Sequence, residues 1–555
     1  MIRSTVTGLA LLAALGWTAG AAQAAPQDAA QAEFDAVIEA VAGLAAERAT
    51  IEAALEALPE AERAAVADFY ADRGFAAYWT AGPSRAVALL GALGEADSHG
   101  LPASRYRAEE VARALEAGDV GEAEIAATRA FLAYARDMTG GVLVPSRVDG
   151  EINLKPERPS DAALLARLAA EPAAEAIAGL EPAAAEYRAL IAERARLEVV
   201  AATGAWGEPV PAGPALRLGD RDPRVVALRD RLAALGHPAG LGDGGADRFD
   251  TALHDALEAF QAENGLIADG ILGPRTLATL NASPEDRIGQ ILVNLERLRW
   301  MPDDLGDRHV LVNIPAFTTS VFEDGARVYH TRSVVGETKT QTPEFSDRMT
   351  YLVVNPTWYI PDSIARRVYL PQLRQDPTVL ARNNMRLFTR SGTEIDPGLV
   401  DFAALGDSFP FRVRQNPSPS NALGRVKFMF PNQFAIYLHD TPNRELFDRD
   451  ARAFSNGCVR LEDPFELAHY LLAPQLDDPE RQFQAWVDAR SERYVTLEKP
   501  IAVHITYRTA WADEGGVHFR EDVYGRDARV LAALREAGVA PPARATAAVA
   551  EDRAG

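Results

Sequence analysis

Residues 424–441 read GRVKFMFPNQFAIYLHDT, two strand-like apolar runs separated by Pro431-Asn432. Period-two patterning of this kind marks a half-buried strand. Similar runs flank it: RHVLVNIPAFTTSVFEDGARVYHTRSVVG (308–336), MTYLVVNPTWYIP (349–361) and YVTLEKPIAVHITYRTAW (494–511). Within the first of these, Glu323-Asp324-Gly325 reads as a hairpin turn. The C-terminal part of the chain is therefore expected to be a mostly β domain. A helical insertion interrupts it around PDSIARRVYLPQLRQDPTVLARNN (361–384).

The chain before this domain has a different texture. Residues 27–65 are rich in Ala and Glu at helical spacing, and an aromatic group follows (Phe69, Tyr70, Phe75, Tyr78, Trp79) that reads as helix-packing core. Further helical stretches run to about 205, and the Pro/Gly-rich GEPVPAGPALRLGDRDPRV (207–225) marks a linker. Beyond it, Val225, Leu228, Leu232 and Leu235 share one helix face that Gly236 stops. Asp250 can cap a second helix that Gly265 ends, and a third short helix lies in ILGPRTLATLN (271–281). GLGDGG (240–245) fits G-x-G-x-x-G, but no strand precedes it, so it reads as a loop. With 555 residues, several cores are expected, in a multidomain α+β chain.

The formal net charge is −22 and no basic stripe appears, which argues against a nucleic-acid partner. Near the N-terminus, Arg3, the apolar GLALLAALGW and the small-x-small site Ala22-Gln23-Ala24 have the layout of a signal peptide. Export is expected, to the periplasm. An uncleaved segment would instead tether the chain to the inner membrane.

Cys458, in RAFSNGCVRLEDP (452–464), is the only cysteine. In an exported chain it is either a reactive thiol or a buried apolar side chain, since no intrachain disulfide is available. A nucleophilic thiol needs a base. His439, nineteen positions earlier at the end of a β run, is the candidate, although a core histidine is the alternative. Gly457 permits close backbone approach, and the peptide N–H groups of 457 and 458 can face an oxyanion. Arg460 can fork onto a substrate carboxylate, brace the loop, or serve a surface ion pair. The remaining histidines form no H-E-x-x-H pair, no G-x-S-x-G elbow appears, and no paired carboxylates stand out. No metal and no organic cofactor are expected.

HDTP (439–442) followed by SNGCVR (455–460) resembles the catalytic motif of the L,D-transpeptidases, the YkuD-type catalytic domain. VVGETKTQTPEFSD, VVNPTWYIPDSI, FMFPNQFAIYLHDTP and TAWADEGGVHFREDVYG are similar to the larger YcbB-like periplasmic subgroup. The three-helix stretch resembles a peptidoglycan-binding domain. The resemblance implies the following order: a signal peptide (1–24), a helical scaffold (36–205), a peptidoglycan-binding-like domain (212–282), the catalytic domain (308–525) with a helical cap at about 363–424, and a C-terminal helix with a disordered tail (526–555). It implies Cys458 as acyl-accepting nucleophile and His439 as base. Ser455, Asn456 and Gly457 form the oxyanion loop, and Tyr437 and Trp358 match pocket-lining positions that are equally readable as β-core aromatics. Asn456 departs from the wider motif, which has His there, and from the subgroup, which often has Ser. The implied reaction is 3→3 crosslinking of peptidoglycan stem peptides from a tetrapeptide donor, with carbapenem-type compounds as inhibitors. A hydrolase using the same Cys/His site and a non-catalytic wall-binding scaffold remain alternatives.

Overall fold

The computed structural model describes residues 25–241 and 244–540. The expected signal peptide lies outside the described residues, as does the tail after residue 540. By contact density the chain forms two compact units, one of residues up to 86 with 110–128, the other of 87–109 with 129 onward. In the first, helices Ala25–Glu56 and Glu60–Ala71 lead to the aromatic group, and Tyr70 and Trp79 are fully buried. They surround Glu124, also fully buried. Its carboxylate accepts the N–H groups of Tyr78, Trp79 and Thr80 and the Tyr70 hydroxyl, which compensates its burial.

Everything that positions the candidate site belongs to the second unit. Its strands are β1 (Arg308–Asn313), β2 (Thr318–Glu323), β3 (Ala326–Gly336), β4 (Phe345–Val354), β5 (Trp358–Ile360), β6 (Met385–Thr389), β7 (Glu394–Ile395), β8 (Phe411–Gln415), β9 (Val426–Met429), β10 (Leu438–His439), β11 (Ala453–Ser455), β12 (Val459–Leu461), β13 (Arg493–Thr506), β14 (Ala510–Asp513) and β15 (Gly516–Phe519). Nine of them form one sheet in the order β11-β3-β12-β10-β9-β4-β13-β1-β2, and a further β2–β3 pairing brings that order back to β3. The expected β domain is thus a sheet curled on itself around Val310, Val312, Leu352, Val354, Phe428, Leu438 and Val459, none of them exposed. At the β2–β3 turn Asp324 and Gly325 have φ of 50° and 80°, the left-handed pair that a two-residue hairpin demands.

The module before the sheet folds as its spacing predicts, with helices Arg224–Ala234, Thr251–Glu263 and Pro274–Leu280 around Val225, Leu228, Leu232, Leu253, Leu257 and Leu280. Asp250 caps the second helix by accepting the Leu253 N–H at 3.0 Å, and pairs with Arg229 at 2.6 Å.

Two features depart from the sequence expectations. The cap is not simply helical. Short helical turns over 362–382 pack on a separate four-stranded antiparallel sheet, β5-β8-β6-β7, with its own core of Leu370, Leu373, Leu380, Leu387 and Val413. The alternating MRLFT and FRVRQ segments build that sheet once each finds a partner strand. The second departure is the helix Pro284–Trp300, which joins module to sheet where no element is expected. It opens with a Ser283/Asp286 capping box and is buried on every side from Ile291 to Trp300.

Candidate active site

Strand pairing assembles the site. His439 on β10 lies opposite Lys427 of β9 and opposite Arg460 of β12. Residues directly paired across a sheet share a face, so two cations flank the imidazole. Tyr437 and Cys458, two positions before His439 and Arg460, fall on that same face by alternation. Leu438 and Val459 turn the other way into the core.

His439 is 4% exposed. Its Nδ1 lies 2.5 Å from the Asp440 carbonyl oxygen, to which it donates, so Nε2 carries the free lone pair. Burial first, then the charges of Arg460 and Lys427, push its pKa down to about 3. It is a neutral base across the whole physiological range.

Cys458 is partly exposed. Burial pushes its thiol above the ordinary value, while two hydrogen bonds from Tyr437 (its N–H and its hydroxyl) and the charges of Arg460 and Lys427 pull the other way. The resting pair is therefore a neutral thiol and a neutral imidazole, not a preformed ion pair. The thiol donates to the Ala435 carbonyl at 3.7 Å, and no hydrogen bond joins it to His439 among the described residues. Tyr437 adjoins both groups, its ring centroid 5.6 Å from that of the imidazole.

The loop carrying the thiol is pinned from several sides. Ser455 Oγ accepts the Gly457 N–H at 3.1 Å and donates to the Cys458 carbonyl at 2.6 Å. This corrects the expectation that the N–H groups of both 457 and 458 face an oxyanion. Gly457 spends its N–H within the loop, whereas the Cys458 N–H has no partner among the described residues. Gly457 has φ 114°, and a Cβ there would meet Ile436 Cδ1 at 3.1 Å. Thr342 Oγ1 donates to the Gly457 carbonyl at 2.7 Å, and Thr340 Oγ1 to that of Ser455 at 3.2 Å. Opposite the thiol, Ala435 has φ 55°, a costly conformation held by Asn432, whose amide bonds the backbone of Phe430, Phe434 and Ile436.

Asn456 is exposed and accepts a hydrogen bond from Arg367 of the cap, whose guanidinium also stands 4.0 Å from Glu337. Arg460 makes no ion pair among the described residues, and its Nε is buried without a partner. Trp358 lies in β5, packed against the core of the cap. On the other flank of the loop a groove of about 650 Å³ is lined by Asp149, Glu151, Lys339, Phe434, Asn456 and Gly457 among others. Lys427, Thr342 and Arg367 are absent from the sequence-derived site. Of these, Lys427 alone leaves a local signal, a polar residue at the outward position of an otherwise apolar strand.

The electrostatics carry a stability prediction. His504 of β13 is also buried, bonded to Ser346 Oγ at 2.8 Å and the Leu305 carbonyl at 3.0 Å, and burial pushes it down to about 4. In the unfolded chain both imidazoles take a proton near pH 6.5. Between pH 6.5 and 5 the unfolded chain thus binds protons that the folded protein refuses. Stability falls as pH falls, by about 2 kcal/mol per histidine. Urea titrations at pH 7 and pH 5 check this, and a midpoint that stays or rises at pH 5 contradicts it.

Residues 307–484 match the family model of the L,D-transpeptidase catalytic domain, residues 64–193 that of a scaffold domain, and residues 221–280 that of a "Putative peptidoglycan binding domain". A curated protein of Haemophilus influenzae, named "Putative L,D-transpeptidase", is 34% identical over 288 residues, 50% of this chain and 56% of that protein. The chain thus spans about half the length of this relative. The N-acetylmuramoyl-L-alanine amidase CwlM of Mycobacterium tuberculosis is 48% identical over 56 residues, 10% of this chain and 13% of that one. Among solved structures, the L,D-transpeptidase (residues 123–326) of Xylanimonas cellulosilytica shows 16% identity over 54% of this chain and 100% of its own, with a TM-score of 0.16. That of Stackebrandtia nassauensis shows 13% identity over 54% and 97%, with a TM-score of 0.21. Superpositions this loose give no residue-by-residue correspondence.

Proposed function

From the premise of a chain that carries an L,D-transpeptidase catalytic domain beside a peptidoglycan-binding domain, we propose that it forms 3→3 crosslinks between stem peptides through a Cys458 thioester. The observation that carries this reading is the chain's single thiol set on one sheet face with a buried neutral imidazole, beside a backbone N–H that has no partner among the described residues.

Sγ attacks the carbonyl of the third stem residue as its proton passes to His439 Nε2. The new oxyanion faces the Cys458 N–H. Collapse breaks the C–N bond to the terminal D-residue, whose nitrogen takes the proton back from His439, leaving a thioester. An acceptor amine then attacks the thioester carbonyl and gives its proton to His439, and Cys458 leaves as the thiol. Arg460, cationic and without an ion pair, is suited to a stem carboxylate. The groove beside Asn456 and Gly457 is suited to the acceptor. No step calls for a metal or cofactor. Peptidoglycan lies outside the cytoplasm, so the compartment proposed is the periplasm. No described helix is long and apolar enough to cross a membrane.

The test is incubation of the parent and of Cys458→Ala with purified disaccharide-tetrapeptide, followed by mass spectrometry. The parent is expected to give dimers lacking one terminal D-residue, and the variant none. Shortened monomers alone would make the protein a hydrolase with the same acyl-enzyme. Unchanged substrate, with no carbapenem adduct on Cys458, would leave a wall-binding scaffold.

A further inference from the structure

A crevice of about 420 Å³ runs between the three-helix module and the catalytic sheet. Arg275, Ala278 and Thr279 form the module side, Arg287 the joining helix, and the far side is formed by Phe317, in the β1–β2 turn, with Phe519 and Arg520 at the end of the separate β14–β15 hairpin. A further hollow of about 290 Å³ continues it, sharing Asn264, Thr279, Arg287 and Phe519.

The charges along this crevice are unevenly matched. Its three carboxylates are committed. Asp286 closes the capping box with Ser283, Glu521 pairs with Arg275 at 2.8 Å, and Asp450 accepts the Ile267 N–H and faces Arg275 at 3.7 Å. Arg287 and Arg520 have no carboxylate within ion-pair reach among the described residues. Arg287 donates to Gln290 Oε1 at 2.8 Å and to the Thr279 carbonyl at 3.4 Å, and lies over the Phe519 ring at 4.7 Å. Arg520 donates to the carbonyls of Glu263 and Phe519 and lies over Trp511 at 4.9 Å. Burial pushes both guanidiniums down to about 10, and the charge of Arg520 adds to that push on Arg287. Asp286 near Arg287, and Glu263 and Asp513 near Arg520, offset these charges in part, but none pairs with either guanidinium among the described residues, so an anion entering the hollow is favoured.

We propose that this crevice is a second peptidoglycan site, in which Arg287 and Arg520 hold a carboxylate of a stem peptide whose aliphatic part lies against Phe519 and Phe317. The site rests on the peptidoglycan substrate proposed above, and it does not include Cys458. It would hold a strand on the module while another reacts at the thiol, which raises the effective concentration of stems near the catalytic loop. In a peptide-bearing strand the lactyl carboxyl of the muramyl sugar is tied up in the amide to the stem, so the free carboxylates belong to the peptide and the site should read peptide.

The test is calorimetric binding to full-length Cys458→Ala, which cannot turn over. The probes are disaccharide-tetrapeptide, free tetrapeptide and a peptide-free disaccharide of two N-acetylglucosamines, which carries no carboxylate. Binding of the two peptide-bearing probes is expected to weaken at least tenfold when Arg287→Gln and Arg520→Gln are added together. Ala278→Glu, at an exposed position on the crevice wall, is expected to do the same by supplying a tethered carboxylate. If the double change lowers the melting temperature, the Ala278→Glu result decides. Unchanged affinity in Ala278→Glu, or binding of the peptide-free disaccharide alone, overturns the proposal. Dimer formation by the cysteine-intact parent is read separately, so failure of the crevice leaves the transpeptidase reading standing, and the reverse also holds.

Discussion

His439→Ala is expected to slow acylation of Cys458 by about 10³-fold at neutral pH while leaving the melting transition near that of the parent. The factor corresponds to about 4 kcal/mol of barrier. It follows from the resting protonation state. Burial keeps the thiol protonated, so attack requires a base, and His439 is the neutral imidazole on the same face. Removing it leaves Lys427 and Arg460, both cations, which can stabilise a thiolate but cannot take its proton. The fold should survive. The loop around Asp440 is held without the imidazole, since the Asp440 carboxylate accepts the N–H groups of Arg425 and Thr441 at 2.7 Å each. The pH profile separates a base from a merely structural residue. In the variant the thiolate formed by direct ionisation is the only nucleophile, so its rate should climb with pH and the gap to the parent should narrow on the alkaline side. Carbapenem acylation followed by intact mass between pH 6 and 10 measures both curves. A variant rate near the parent's at pH 7 would remove His439 as the base.

Much of this site is legible in the amino-acid sequence, for a local reason. Tyr437 and His439, like Cys458 and Arg460, stand two apart in strand-like runs, and alternation alone puts each pair on one face. The glycine next to the thiol announces a backbone that side chains avoid, and φ at Gly457 bears this out. The module helices are equally plain, because their caps and stops are local. What escapes is set by pairing at a distance. Nothing near Lys427 says that β9 will lie beside β10, and nothing in SNGC says that Ser455 will take the Gly457 N–H for itself. The sheet in the cap escapes for the same reason. Its strands are short and edge-like, and the helical turns between β5 and β6 dominate the local pattern. The helix Pro284–Trp300 is the instructive miss. Its Asn294, Glu296 and Arg297 look like surface residues taken one by one, yet each of these three finds a buried partner supplied by a remote segment.

Glu344→Gln is expected to destabilise the catalytic unit by about 3–5 kcal/mol, the range for breaking a buried ion pair from one side. Glu344 is 1% exposed and accepts from Arg297 at 2.9 and 2.7 Å and from Arg526 at 2.9 Å. Asp527 is the only other carboxylate bonded to these guanidiniums among the described residues, at 3.3 Å from Arg297. Neutralising Glu344 therefore leaves two buried cations with one paired anion, Asp527. Changing Glu344 to Leu together with Arg526→Met removes a charge of each sign, and should cost clearly less than the sum of the two single changes. The damage should also reach the chemistry. Arg526 holds Gln341 Oε1 at 3.0 Å and the Thr342 carbonyl at 2.8 Å, and Thr342 in turn holds the Gly457 carbonyl. A loosened Thr342 frees the loop that presents the Cys458 N–H, so acylation should slow in Glu344→Gln even at temperatures where the protein is fully folded. Urea midpoints and acylation rates measured on the same samples test the link. Loss of stability with an unchanged acylation rate would show that the ion cluster supports the fold without positioning the loop, and a stability change below about 1 kcal/mol would deny it even that role.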